Sequence, residues 1–111
     1  MCCGILTAAH EIKGLVMLFM VIESFRNQDA KSIYRRLRDK GRLMPNGLSF
    51  VNSWVQADLS RCFQLMECDD LRLLQQWVLE NNRDLGMSFE IVPVVPSKET
   101  REVVAPYLDK K

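Results

Sequence analysis

The sequence predicts an α+β protein, a ferredoxin-like βαββαβ plait with one four-stranded antiparallel sheet. Hydrophobic periodicity changes along residues 15–97 in the order strand, helix, strand, strand, helix, strand. The first strand is apolar on both of its alternating faces, and the last carries Pro93 in its middle. These observations place strands one and three at the centre of a sheet of order 4-1-3-2, with strands two and four at its edges.

The first strand and the first helix have the clearest signals. In residues 15–25, Phe19 and Val21 alternate with Leu18 and Ile22, so the pattern predicts a strand covered on both faces. In residues 29–41, Asp29 fits an N-cap, apolar residues recur at helical spacing, and a glycine supplies the stop.

The remaining elements follow at short intervals. A turn at residues 44–47 leads into strand two, residues 48–57, where Phe50, Asn52 and Trp54 are expected on one face. Strand three covers residues 61–68, and a second helix begins after Asp69 or Asp70 and continues to about residue 82. Strand four covers residues 89–95.

The chain divides into one domain with two short extensions. Residues 1–14 form an N-terminal arm, which is a flexible segment, a short helix or an over-long translational start, because Met17 would begin the domain equally well. Residues 15–97 form the ferredoxin-like domain. Residues 98–111 form a C-terminal tail in which Ser97 is expected to cap one further helical turn.

Composition excludes several function classes. The 15 basic and 14 acidic residues give a net charge of +1, which supplies no overall field for nucleic acid or an anionic membrane. A basic run at residues 35–42 lies at a helix C-terminus, where cations complement the helix dipole. Strand three, RCFQLMEC, has one aromatic residue and no glycine, so it does not fit an RNA-recognition motif.

The four cysteines predict free thiols and a cytoplasmic location. Cys62 and Cys68 share one strand about 20 Å apart, beyond disulfide reach. Cys2 and Cys3 are adjacent, and with the single histidine, His10, they do not form a zinc-binding pattern. We therefore expect no metal and no cofactor. The apolar run at residues 14–22 is too short to span a membrane, and a signal peptide is the alternative interpretation of that run.

The predicted sheet leaves one face without a cover. Two helices cover one face, yet strand one is apolar on both, so the second face requires another layer. A second copy of the chain packed face to face would supply it and form a dimeric α+β barrel. The alternative is that the arm or the tail folds back over the sheet of a monomer.

Several short blocks also resemble a known family. They are MLFMVIESF (17–25), GRLMPNGL (41–48), SW (53–54), RCFQLME (61–67) and FEIVPV (89–94). In this order they resemble the uncharacterised domain of unknown function 3303 family, over about residues 17–97. The resemblance implies a dimeric α+β barrel, a superfamily that includes cofactor-less monooxygenases, small isomerases and many members of no known activity.

Five residues are candidates for a ligand site: Trp54, Asn52, Gln64, Glu23 and Arg42. Trp54 would form an aromatic wall, Asn52 and Gln64 would orient a ligand, and Glu23 or Arg42 would supply charge. The alternative interpretation makes Trp54 a core or dimer-interface residue, and Glu23 a strand-end carboxylate that is solvated or is a partner of Arg61 or Arg42.

A second carboxylate, Glu67, is expected to lie away from Glu23, because strands one and three are antiparallel. No catalytic residue is identified. The sequence therefore predicts a homodimer that binds an unidentified small molecule, with cofactor-less catalysis left open. The alternative is a dimerisation or protein-interaction module without a ligand.

Overall fold

The computed structural model describes residues 16–25 and 29–109 and has the predicted order of elements. The four strands are β1 (Met17–Ser24), β2 (Ser49–Val55), β3 (Arg61–Cys68) and β4 (Ser88–Val94). Helix α1 (Ala30–Lys40) follows β1, and α2 (Leu71–Leu85) follows β3. The predicted arm, with Cys2, Cys3 and His10, lies outside the described residues.

The sheet has the predicted topology. Its order is β2-β3-β1-β4, and every neighbouring pair is antiparallel. The prediction that β4 is an edge strand is confirmed, and Pro93 is exposed there, where a residue without an N–H donor interrupts no central ladder. Strands β1 and β3 form the centre, with Val21 opposite Gln64 and Ile22 opposite Phe63.

Both helices pack on the same side of the sheet, which we call the covered face. Phe19 and Val21 of β1 and Met66 of β3 are buried there against Leu74 and Trp77 of α2. A second buried cluster joins α1 to the same face through the residues Phe25, Ala30, Cys62 and Met87. These apolar contacts hold the two helices on the sheet.

The other side of the sheet, the open face, is also apolar. Its residues alternate with those of the covered face, as the pattern in strand one predicts. They are half-buried in one chain: Leu18, Met20, Ile22, Phe63, Leu65, Val92 and Val94. Glu67 lies on this face opposite Leu18, and Glu23 lies on the covered face, so the predicted separation of the two carboxylates is confirmed.

A bulge in β2 changes which residues face the helices. Phe50 pairs with Met66, but Asn52 pairs with Leu65 and Trp54 with Phe63, because the register shifts by one residue after Phe50. The sequence pattern placed Phe50, Asn52 and Trp54 on one face, and this prediction is wrong. One extra residue in a strand exchanges the faces of all later side chains, so Asn52 and Trp54 lie on the open face and Ser53 on the covered face.

The ends of α1 match the sequence signals. Asp29 caps the helix, since its carboxylate accepts a hydrogen bond from the Ser32 amide at 3.2 Å. Gly41 ends it with φ 72° and ψ −165°, a conformation that is essentially restricted to glycine. This turn directs the chain, with Arg42, back towards the sheet.

The C-terminal tail is more helical than predicted. Helix α3 (Ser97–Val104) makes two turns, and Pro96, rather than Ser97, occupies its N-cap position. A short 3₁₀ helix (Ala105–Tyr107) follows. None of the helices in the described residues is long and apolar enough to cross a membrane.

Candidate functional site

A small cavity of about 90 Å³ lies between the covered face and the helices. Apolar side chains such as Phe25, Ile33 and Met66 form part of its wall. The polar residues of the wall come from six parts of the chain: Glu23 on β1, Tyr34 and Arg36 on α1, Arg42 after it, Ser53 on β2, Gln64 on β3, and Asn81 on α2. This cavity is the strongest candidate site in the described residues.

Glu23 is a buried carboxyl group in the wall of this cavity. Alternation along β1 turns it to the covered face, where only 5% of its surface is exposed. Burial raises the pKa of Glu23 from 4.5 to about 7, because a charged carboxylate loses its hydration there. A hydrogen bond from Gln64 and the charges of Arg42 and Arg36 oppose this rise. Glu23 is therefore not a solvated carboxylate, although the charge of Arg42 does act on it, as the alternative interpretation allowed.

Gln64 connects Glu23 to a positive charge. Its side chain is buried and hydrogen-bonds to Glu23, while its Oε1 accepts a bond of 3.0 Å from Nη1 of Arg42. The Arg42 guanidinium also lies over the ring of Phe50, 3.5 Å from its centroid. Two contacts thus fix Arg42 beside the cavity, and the three predicted residues Glu23, Gln64 and Arg42 form one hydrogen-bonded group.

A second polar group lies on the helices. Nη1 of Arg36 donates to Oδ1 of Asn81 at 2.9 Å, and Nδ2 of Asn81 donates to the carbonyl of Trp77 at 2.8 Å. Trp77 is 3% exposed, and its ring meets Phe89 edge to face at 5.2 Å. Among the described residues, the buried Nε1 of Trp77 has no hydrogen-bond acceptor. A buried donor without a partner is uncommon in a folded protein and often marks a site for another molecule.

Cys62 lies opposite Glu23 in the register and also contributes to the cavity wall. Burial raises the pKa of its thiol to about 11, and the negative charge of Glu23 adds to the rise. The thiol is therefore neutral at physiological pH and is a poor nucleophile. This agrees with the prediction that Cys62 and Cys68 are small buried side chains; both are buried and free.

The other two candidates lie elsewhere. Trp54 is 51% exposed on the open face, and Asn52 is exposed on the same face. The bulge in β2 separates them from Glu23 and Gln64, and it leaves Ser53 in the cavity wall in their place. The structure therefore brings three of the five predicted residues together.

Sequence reasoning missed Arg36, Asn81 and Trp77 as parts of a site. Arg36 belongs to a basic run, and such a run predicts a solvated helix C-terminus. Trp77 belongs to the apolar stripe of a helix, which predicts a core residue. The available signal was that Trp77 and Asn81 are four residues apart and share one helix face. In the described residues, no group of three potential metal-binding side chains comes together.

One comparison with known proteins gives a match. A family model described as a domain of unknown function (DUF3303) matches residues 17–108, which include every strand and helix of the fold. No curated protein and no solved structure shows a significant match to the chain.

Proposed function

The chain belongs to the DUF3303 family of domains of unknown function, and from this premise we propose that it binds a small molecule in the cavity of the covered face. Glu23, Gln64 and Arg42 hold the molecule, and Glu23 serves as an acid–base group towards it. The protein works as a homodimer that forms through the two open faces.

The observation that carries the ligand proposal is the burial of Glu23 beside a cavity. A carboxyl group in an apolar interior costs stability, and an apolar residue at this strand position would avoid the cost. The fold nevertheless supplies Gln64 and Arg42 to support the carboxyl group. Titratable groups whose pKa is strongly shifted by burial in a cleft concentrate at functional sites.

The pKa of Glu23 suits proton transfer. A value of about 7 means that both forms of the carboxyl group are present near neutral pH, which is the condition that favours a general acid or base. Such a residue can accept a proton from a bound molecule and return it elsewhere without a cofactor. This supports cofactor-less catalysis as the chemistry of the site.

The open face supports the homodimer. Seven apolar side chains on three strands are only half-buried in one chain, and exposed Trp54 extends the surface on β2. A contiguous apolar surface of this kind is typical of a protein interface. Two copies packed about a two-fold axis would bury it with the same residues on both sides. Trp54 and Asn52 then belong to the interface and not to the ligand site.

The same surface also favours the second candidate function, a dimerisation or protein-interaction module without a ligand. Both candidates require the open face to be covered by protein. They differ in the cavity, which is a binding site in the first and only a packing defect in the second.

Mass spectrometry of small molecules that copurify with the protein separates the two. We expect the wild-type protein to retain a molecule that the Arg42→Met variant releases. Arg38→Met is the matched control, because Arg38 lies on the solvent side and pairs with Asp39 at 2.8 Å. If wild type and both variants carry nothing, and no compound in a metabolite screen raises the melting temperature, the interaction module is correct.

Light scattering tests the dimer separately. We expect a mass twice the chain mass of 12.9 kDa at micromolar concentration. A mass of one chain would contradict the role proposed for the open face.

A further inference from the structure

The cavity offers many hydrogen-bond donors and few acceptors. Arg36, Arg42, Tyr34 and Ser53 can all donate, and the arginine side chains cannot accept at all. Gln64 and Asn81 each direct their side-chain oxygen to one of the two arginines. A molecule that matches this wall must bring acceptor atoms.

Among the described residues, no ion pair compensates the charge of these two arginines. Each donates to the neutral oxygen of an amide, Arg36 to Asn81 and Arg42 to Gln64. Among the side chains that the structure describes, neither guanidinium lies within ion-pair distance of a carboxylate, whereas Arg38 and Arg72 each pair with a neighbouring aspartate. The nearest negative group, Glu23, loses its charge readily because it is buried. The cavity therefore attracts an anion.

The size and the apolar wall restrict the anion. A single water needs roughly 10–15 Å³ of such space, so about 90 Å³ is room for a small organic molecule and not for a large one. Phe25 and Met66 add apolar surface at the two ends of the cavity, on either side of Glu23 and Gln64, and Ile33 adds more from α1. A short hydrocarbon chain with an anionic head matches this mixed lining better than a fully polar ion.

We infer that the bound molecule is a small organic carboxylate, whose oxygens accept hydrogen bonds from Arg36 and Arg42 and whose hydrocarbon part lies against the apolar wall. This inference rests on the proposed function, since it names the class of molecule for that same cavity.

Binding of a carboxylate should also take up a proton. The charged and titratable groups that face Glu23 are Arg36 and Tyr34 on α1, Arg42 after it, and Cys62 on β3. Burial places the pKa of Glu23 near 7, and a second negative charge beside Glu23 favours its protonated form. Near pH 7 we expect uptake of up to about half a proton per site.

The two tryptophans provide a test in the wild-type protein. Trp77 lies in the cavity wall and Trp54 on the open face, so their indole N–H signals in a ¹H–¹⁵N spectrum report on different surfaces. Propionate should shift the Trp77 signal and leave that of Trp54 unchanged, with the Trp54→Phe variant giving the assignment. Propionamide, which has the same shape without the charge, should bind at least about tenfold more weakly.

Calorimetry of the same titration in two buffers of different ionisation enthalpy measures the proton uptake. The uptake should disappear in Glu23→Gln. Affinity should fall at least about tenfold in Arg36→Met and Arg42→Met. Arg38→Met, on the same helix as Arg36, should bind propionate as the wild type does.

Three results would overturn the inference. The first is that propionamide binds as tightly as propionate, and the second is that inorganic phosphate does so. The third is that 10 mM propionate leaves the Trp77 signal unmoved. This concentration lies well above the roughly millimolar dissociation constant expected of a five-atom ligand. If a molecule still copurifies with the wild type in any of these cases, only the carboxylate class fails and the proposed function stands. If no molecule copurifies either, both fail.

Discussion

Replacing Glu23 with glutamine should make the stability of the protein less dependent on pH. Glutamine has the shape of the protonated carboxyl group and no charge to desolvate. The folded protein holds the Glu23 proton up to about pH 7, whereas the unfolded chain releases it near pH 4.5. Between these values the folded state binds more protons than the unfolded state, so the free energy of unfolding falls as pH rises.

The size of the effect follows from the shift in pKa. A difference between 4.5 and about 7, at about 1.4 kcal/mol per unit, corresponds to about 3–4 kcal/mol, of which about 3 kcal/mol is lost between pH 4.5 and pH 8.5. This stabilisation is present in full below pH 4.5 and is lost as pH rises through 7. Relative to Glu23→Gln, the wild-type protein should therefore be about 3 kcal/mol less stable at pH 8.5 than at pH 4.5.

Urea denaturation of both proteins at fixed concentration, from pH 4.5 to pH 8.5, measures this difference. Glu102→Gln is the control, because Glu102 is exposed on α3 and should leave the pH profile of the wild type unchanged. Parallel profiles for the wild type and Glu23→Gln would refute the reasoning, since they would mean that Glu23 titrates alike in the folded and unfolded states.

Three further substitutions or reactions test other parts of the structure. Met20→Glu puts a charge in the middle of the open face, between Leu65 and Val92, and should reduce the mass in light scattering from two chains to one. Leu79→Glu, at an exposed position on α2, should leave that mass unchanged, and a dimer in both variants would exclude the open face as the interface. Burial raises the pKa of the Cys62 thiol to about 11, so Cys62 should react with iodoacetamide at pH 8 much more slowly in the folded protein than in urea. Mass spectrometry of the peptide that contains Cys62 measures both rates, and equal rates would contradict the burial of Cys62. Gly41→Ala should lower the free energy of unfolding by about 1–3 kcal/mol through backbone strain alone, because a Cβ there meets no atom within 4 Å; an unchanged urea midpoint would show that the chain adjusts at no cost.

The topology could be predicted because its signals are local. Alternation along β1 shows two apolar faces, and Pro93 excludes β4 from the centre of the sheet. Asp29 and Gly41 mark the two ends of α1 in the same way. Each of these residues acts through its own backbone or its nearest neighbours, so one sequence suffices to recognise it.

The site could be predicted only in part because its properties depend on distant segments. Glu23 is buried because α1 and the loop at Arg42 close over it, which the sequence of β1 does not reveal. The bulge between Phe50 and Asn52 contains no glycine or proline that would announce it. The shifted register then moves Trp54 to the opposite face, and a prediction based on simple alternation fails from that point onwards.

Strand β3 forms a wall that two different surfaces share. Gln64 points to the cavity, and its neighbours Phe63 and Leu65 point to the open face. In the proposed homodimer, natural variation at Gln64 would alter the molecule that the cavity accepts without altering the contact between subunits, and variation at Phe63 or Leu65 would alter assembly without altering chemistry. Members of one family would then diverge in ligand while they keep a common quaternary structure.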